Sequence, residues 1–463
     1  MPEPVDLIIR GGYVITVDPE RRMFRDGAIA IRGDRIAAVD RTRAVLDAFR
    51  AGREIDATGK VVIPGLIDSH MHLNEGPRGV VPDDIPAIPW IREWMHPIFA
   101  ALDPDEEYLL ARLALAEALK TGTTTVVEGG TVWYPEMAAR AALESGARLY
   151  LGRRTWDIPQ RDPKFRMTTD QALRRCEELI ARYHGAGSGR LRIFVHLIGV
   201  GTQSDALLMG ARELAQRHGL VVSMHQSIAE EEVAEFQASH RGLRPIEHFA
   251  EIGALDERLR LIHLIALSQR EAELVRATGV KPVHCVTCAL RLGYGATAIG
   301  RYPELIRAGV PVALGCDGGN CSNFFDMVRA MHLVATLYKD ARRDVSLVPA
   351  EMAIEMATRN GAISVLAEEE LGSIEVGKLA DLTLFDTSRL EWQPLTNVVY
   401  NLVYAATGAS VDTVLVGGQV VVEKGRLTRV DEEALLAEAR AKDWRRWLAE
   451  RAGLPYQQRW PEL

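Results

Sequence analysis

Between residues 61 and 370, short apolar runs alternate with helical segments, and this alternation limits the fold more than any other feature. The runs are VVIPGLIDSH, TTTVVEGG, RLYLGRR, LRIFVHLIGV, LVVSMH, LRLIHLIALS, VKPVHCVT and VPVALGCD. The segments between them have helical periodicity, as in DEEYLLARLALAEALKTG, which ends at Gly122. Eight apolar strands mostly alternating with helices predict an α/β chain built on a (β/α)8 TIM-like barrel. A doubly wound sheet is the competing architecture. No G-x-G-x-x-G follows the first strand, so a dinucleotide site has no support.

The two ends of the chain have a different period. In residues 1–60, VDLIIRGGYVITV reads as a hairpin with a Gly-Gly turn, and GAIAIRGDRIAAVD as another with a Gly-Asp turn. In residues 371–430, DLTLFD and VDTVLVGGQVVVEKG repeat the pattern. One small β-domain assembled from both ends is expected, because chain termini usually lie close together. Residues 431–463 begin as a charged amphipathic helix. Trp444, Trp447 and Trp460 there are expected to pack on the barrel or on a second subunit.

Charge and composition narrow the partners. A net charge of −8 and a pI near 5.9 give no basic face, so neither nucleic acid nor an anionic membrane is an expected partner. No apolar run approaches a membrane span, and MPEPVDLIIR lacks a signal-peptide pattern, which makes a cytoplasmic protein the expectation. The five cysteines are an odd set, unlike a disulfide framework. CVTC and CDGGNC invite a four-thiolate zinc reading, but buried thiols near a strand end are the simpler expectation.

Metal-capable residues recur at the ends of the apolar strands. The first strand supplies His70 and His72, the fifth His225, the sixth His263, the seventh His284 and the eighth Asp317. Two residues apart on a strand, His70 and His72 face the same side. The C-terminal strand ends form the functional face of such barrels. A lone histidine near a strand end is usually structural, but a set at corresponding positions is a candidate metal centre. Asp317 would then take a proton from the attacking water and return it to the leaving nitrogen. His284 would stabilise developing charge. His96, His184, His218, His240 and His332 are expected at the surface, and His196 in IFVHLIG is either ligand or core.

PGLIDSHMHL, ARLALAEALKTGTTTVVE, PIEHFAEIGAL, HCVTCALRLGYG, VALGCDGGNCSNFFDM and LGSIEVGKLADLTLFD together resemble the amidohydrolase superfamily over nearly the whole chain. The resemblance is to the branch holding chlorotriazine hydrolases and adenosylhomocysteine or guanine deaminases, and extends to hydrolases of phenylureas and thiocarbamates. It implies a composite β-sandwich from the chain ends. It places His70, His72, His225, His263 and Asp317 around one divalent ion, with Asp317, His263 and His284 as catalytic groups. Zn2+ is expected, with Fe2+, Mn2+ and Co2+ as alternatives. Arg78-Gly79 matches a pair that follows the first metal motif in many members. No lysine stands where relatives with two ions carry a bridging one. A homo-oligomer acting on a small-molecule substrate is also implied.

Departures from the resemblance shape the substrate expectation. Deaminase-like members carry His-x-x-Glu at the fifth strand, and here HQSIAEEEV puts Ile228 at the acid position. Glu230 is a conceivable replacement. Ile198 and Ala289 stand where relatives have polar groups. Unmatched ring donors and acceptors are costly in a dry pocket. The expectation is therefore C–N cleavage at an exocyclic carbonyl, as in an aryl urea, carbamate, thiocarbamate or amide. Ring deamination or dechlorination is the alternative.

Overall fold

The computed structural model describes residues 1–159 and 163–462. Among the described residues are eight parallel barrel strands. The first four are Leu66–Met71, Thr123–Glu128, Arg148–Leu151 and a fourth interrupted at Phe194 into Leu191–Ile193 and Val195–Gly199. The others are Val222–Gln226, Leu259–His263, Lys281–His284 and Ala313–Leu314. The interruption divides the ladder into a four-stranded and a five-stranded sheet. The eighth strand returns to the first: the Asp317 amide donates to the His70 carbonyl at 2.7 Å. Asp68 reinforces this seam, its Oδ1 accepting from the amides of His70 (3.2 Å) and Cys316 (3.0 Å). The ring of contacts brings the C-terminal ends of distant strands around one opening.

The chain ends form one mixed nine-stranded sheet. The expected sandwich is thus a continuous sheet with an apolar core on each face. Leu7, Ile9, Val14 and Leu382 belong to one core, Val5, Ile8, Ala28 and Val45 to the other. The Gly33-Asp34 and Gly417-Gly418 turns join strands as expected. Gly11-Gly12 does not turn. Glu3–Ile15 is one long strand, and the glycines make a bulge where register shifts against Met23–Arg32. Gly11 has φ +76°, and a Cβ on Gly12 would lie 2.9 Å from Val62 Cγ2, so close packing rather than chain reversal explains the pair.

VVIPGLIDSH is likewise two strands. Lys60–Pro64 pairs with Leu382–Asp386 in the terminal sheet, and the barrel begins after Gly65. A Cβ on Gly65 would sit 2.2 Å from Thr124 Oγ1, in the second barrel strand. Gly65→Ala should therefore destabilise the protein by roughly 1–3 kcal/mol through overpacking. A lowered denaturant midpoint with unchanged metal content would show this. An unshifted midpoint would mean that the junction relaxes freely.

The C-terminal segment supplies helices Glu432–Ala441 and Trp444–Arg451. Trp447 is buried, and its Nε1 donates to Glu106 Oε1 at 2.7 Å on the barrel helix Pro104–Lys120. Trp444 packs edge-on against Trp447, while Trp460 is exposed. All five cysteines are free and buried. Among the described residues, no helix is long and apolar enough to cross a membrane.

Candidate active site and metal centre

Five side chains from four strand ends converge at the C-terminal mouth of the barrel. His70 Nε2 lies 3.1 Å from His72 Nε2 and 3.2 Å from His225 Nε2. His225 Nε2 and His72 Nε2 are 3.4 Å apart. Asp317 Oδ1 is 3.2 Å from His72 Nε2 and 3.6 Å from His70 Nε2, and its Oδ2 is 3.8 Å from His263 Nε2. Tetrahedral zinc with bonds of 2.0–2.1 Å to imidazole nitrogen sets its donors roughly 3.3 Å apart. The spacing here fits such an ion, and the donors are imidazole nitrogens and a carboxylate.

The surrounding bonds aim the rings. His225 Nδ1–H donates to the Ile198 carbonyl at 2.6 Å, leaving Nε2 free to ligate. His72 Nδ1 lies 3.0 Å from Thr131 Oγ1, which itself donates to Asn74 Oδ1 at 2.6 Å. Thr131 therefore accepts from His72, and His72 Nε2 too is free. Two donors stand on left-handed backbone: His263 has φ +76° and Asp317 φ +72°. Such conformations are uncommon outside glycine and cluster at functional sites.

Electrostatics prepares the centre for a cation. Burial brings His70 down to about 3 and His263 to about 4, and holds His225 well below the ordinary range. Neutral imidazole is the ligating form. For Asp317, burial works against charge, but the bonds from His70 and His72 outweigh it and hold the carboxyl well below its usual range. His72 goes the other way. Burial opposes its charge, yet Glu75 and Asp317 raise it to about 9. The negative charge that protonates His72 is equally suited to a divalent ion.

A cavity of about 300 Å³ opens above these donors, and His72, His225, His263 and Asp317 form part of its lining. Ile198 and Ile228 line it as well. Ile228 is fixed by its amide, which donates to Glu232 Oε2 at 2.6 Å. Glu230 begins helix Glu230–Ser239 and is exposed, outside the cavity lining.

Three expected site residues lie elsewhere. The His284 ring stacks on Tyr302 at 3.9 Å and its Nε2 lies 2.9 Å from the Tyr338 hydroxyl. Engaged with residues of the outer helices, it does not line the cavity. Arg78 pairs with Glu117 and lies over Phe325, 41% exposed, in an adjoining groove that shares His72 and Glu75 with the cavity. Ala289 is buried on helix Val286–Arg291, away from the lining. His196 is fully buried, 5.4 Å from the His225 ring centroid, and outside the groups of converging donors. His96, expected at the surface, lines the cavity beside Trp156.

The sequence reading missed other lining groups. Glu75 is buried, with Oε1 3.6 Å from His72 Nε2 and Oε2 without a hydrogen-bond partner. Burial raises its carboxyl to about 8. Gly318 makes room for it, since a Cβ there would lie 1.3 Å from Glu75 Oε2. The available signal was its spacing, three residues after His72 in HMHLNEG. Trp90, Phe99, Trp156 and Tyr294 form aromatic walls, and Arg154 adds a cation. Trp90 and Phe99 come from the helical segments Trp90–Met95 and His96–Ala101, the others from loops, and their meeting has no sequence period.

The pattern that defines the amidohydrolase family matches residues 61–421. The chain belongs to the amidohydrolase family. It is similar to the 5-methylthioadenosine/S-adenosylhomocysteine deaminase of Syntrophobacter fumaroxidans, with 34% identity over 435 residues, 94% of this chain and 97% of that protein. Among solved structures, it is similar to an adenosine deaminase from Xanthomonas campestris with bound zinc. That likeness has 31% identity and a TM-score of 0.89, covering 96% of this chain and 99% of the other. It is also similar to the zinc complex of atrazine chlorohydrolase from Arthrobacter aurescens, with 25% identity, a TM-score of 0.85 and coverage of 94% and 99%. This amidohydrolase is a metal-dependent enzyme that hydrolyses carbon–nitrogen bonds of a small molecule, with a centre for one divalent ion whose donors suit zinc.

Proposed function

We propose that this amidohydrolase removes an amino group from a small heteroaromatic ring by hydrolysis. The supporting observation is a second carboxyl beside the metal centre: Glu75 lines the cavity with one oxygen unpartnered. The acid absent at Ile228 is thereby supplied from the first barrel strand's loop. Deaminases among the similar proteins support the same chemistry. The expectation of an exocyclic carbonyl gives way to its alternative. It rested on a pocket stripped of polar groups, whereas Glu75, Thr131 and Arg154 all line the cavity.

A divalent ion bound at the centre would acidify a water molecule. Asp317 accepts a proton from that water and passes it to the departing nitrogen. Glu75 protonates the ring nitrogen beside the attacked carbon, which keeps that proton, and regains a proton from the newly added hydroxyl as the product forms. The balance is one water consumed and one ammonia released, with an oxo group replacing the amine. Trp90 and Tyr294 offer ring faces for stacking. At about 300 Å³ the cavity is at the small end for ligand sites, suited to a nucleobase-like ring with a short substituent.

The test is a panel of aminated purines, pyrimidines, their nucleosides and s-triazines, run beside aryl ureas, carbamates and amides with ammonia and amine release read separately. Ammonia from a ring substrate is expected. Turnover of ureas or carbamates with every ring substrate untouched would overturn the reading. On the ring substrate, Glu75→Gln should lower kcat by roughly 10²–10⁴. Ile228→Val should leave kcat nearly intact and alter mainly KM, because a methylene in an apolar wall is worth roughly 1–3 kcal/mol of discrimination. Equal turnover by Glu75→Gln and the parent would remove Glu75 from the proton path.

A further inference from the structure

Arg154 follows the third barrel strand and is 2% exposed. Among the described residues two other arginines are comparably buried, and both are paired. Arg148 grips Asp381 with two bonds of 2.8 and 3.0 Å. Arg260 donates to Ser223 Oγ at 2.9 Å and to the Ser69 carbonyl. Arg154 differs: Nε, Nη1 and Nη2 have no hydrogen-bond partner among the described residues. It nevertheless lines the cavity above the metal centre.

Its surroundings are aromatic. The guanidinium carbon lies 4.0 Å from the Phe99 ring centroid, 4.9 Å from Phe165 and 5.6 Å from Trp156. Aromatic faces attract the cation but accept none of its in-plane N–H groups. Glu107, Glu128 and Glu75 act on it only through space. Glu107 already accepts from the amides of Trp133 and Tyr134 and from Asn74, and Glu128 from the amides of Gly130 and Thr131. Burial lowers the guanidinium to about 10, which leaves it charged at neutral pH. A buried charge with all its donors idle is costly. Its place in the cavity provides a reason to retain it.

We propose that Arg154 binds a carboxylate on the substrate, making the ligand of this cavity a planar aromatic acid. The planar fork of guanidinium matches two carboxylate oxygens at once. The walls of Phe99 and Trp156 suit a flat ring attached to that carboxylate. This deepens the reading of the site as a ring deaminase by adding a negative charge to the substrate class.

Binding without turnover tests the inference separately from the deaminase reading. Nicotinate and its neutral counterpart nicotinamide are titrated against the zinc-loaded full chain by calorimetry. Wild type should bind the acid at least tenfold more tightly than the amide. Arg154→Met should abolish that preference while keeping the amide affinity, and Arg154→Lys should retain part of it. The Met variant should melt no lower than wild type, because an unpaired buried charge has been removed. Equal binding of acid and amide by wild type overturns the proposal. A preference that survives in Arg154→Met also does so, since the carboxylate would then be seeking the metal. A lowered melting temperature of Arg154→Met would make Arg154 a structural residue and overturn it too. If deamination fails on every ring substrate but the preference behaves as stated, only the reaction is wrong.

Discussion

Stripping the divalent ion from the purified protein should abolish turnover, and one zinc per chain should restore it. The reason is the convergence of His70, His72, His225, His263 and Asp317, whose donor atoms repeatedly fall within 3.1–3.8 Å of one another. Without an ion, no group at this site acidifies water. His72→Ala or His225→Ala should lose the ion and activity together, because each removes a donor already oriented by Thr131 or the Ile198 carbonyl. The ion binds only the folded site, so its removal should also lower the melting temperature. Elemental analysis beside activity decides the matter. Full activity in chelated, metal-free protein would refute the assignment, and a required ratio of two would refute the single-ion centre.

Asp317→Asn should reduce kcat by roughly 10²–10⁴, the usual span for a positioned acid–base group. That loss corresponds to about 2.7–5.4 kcal/mol of barrier. Asparagine is the informative replacement. It keeps the size, and it tolerates the left-handed backbone present at φ +72°, where alanine would add strain. The backbone bond from residue 317 to the His70 carbonyl, which closes the barrel, is also preserved. Metal content should fall less than in His70→Ala. An asparagine variant retaining more than half its turnover would show that the proton travels by another route.

The comparison of Ile228 with Glu75 shows what reading the chain in one dimension could miss. HQSIAEEEV puts an apolar side chain three residues after His225, and Ile228 does line the cavity. The inference that the site lacked an acid did not follow. Glu75 reaches the same cavity from the first strand's loop, more than 150 residues away in sequence. His284 shows how neighbours redirect a side chain. It stands at a strand end as His225 and His263 do, yet its ring engages Tyr302 and Tyr338. Position along a strand specifies which end a residue occupies, while packing against neighbouring elements decides where its side chain goes.

The sequence alone determined the strand order, the barrel and the strand ends that carry metal-capable side chains. Those properties follow from local rules, because apolar runs must be buried, helices repeat every 3.6 residues and strands every two. It also determined that two small β-rich ends would meet. Only the tertiary structure decided that Gly11-Gly12 is a bulge, that Gly65 ends one strand and begins another, and that Arg154 is buried without a partner. Each depends on an atom brought close from a remote segment: Val62 against Gly12, Thr124 against Gly65, Phe99 against Arg154. Periodicity records what a residue does within its own element. The free energy of a close contact or an unpaired charge depends on what the fold places beside it.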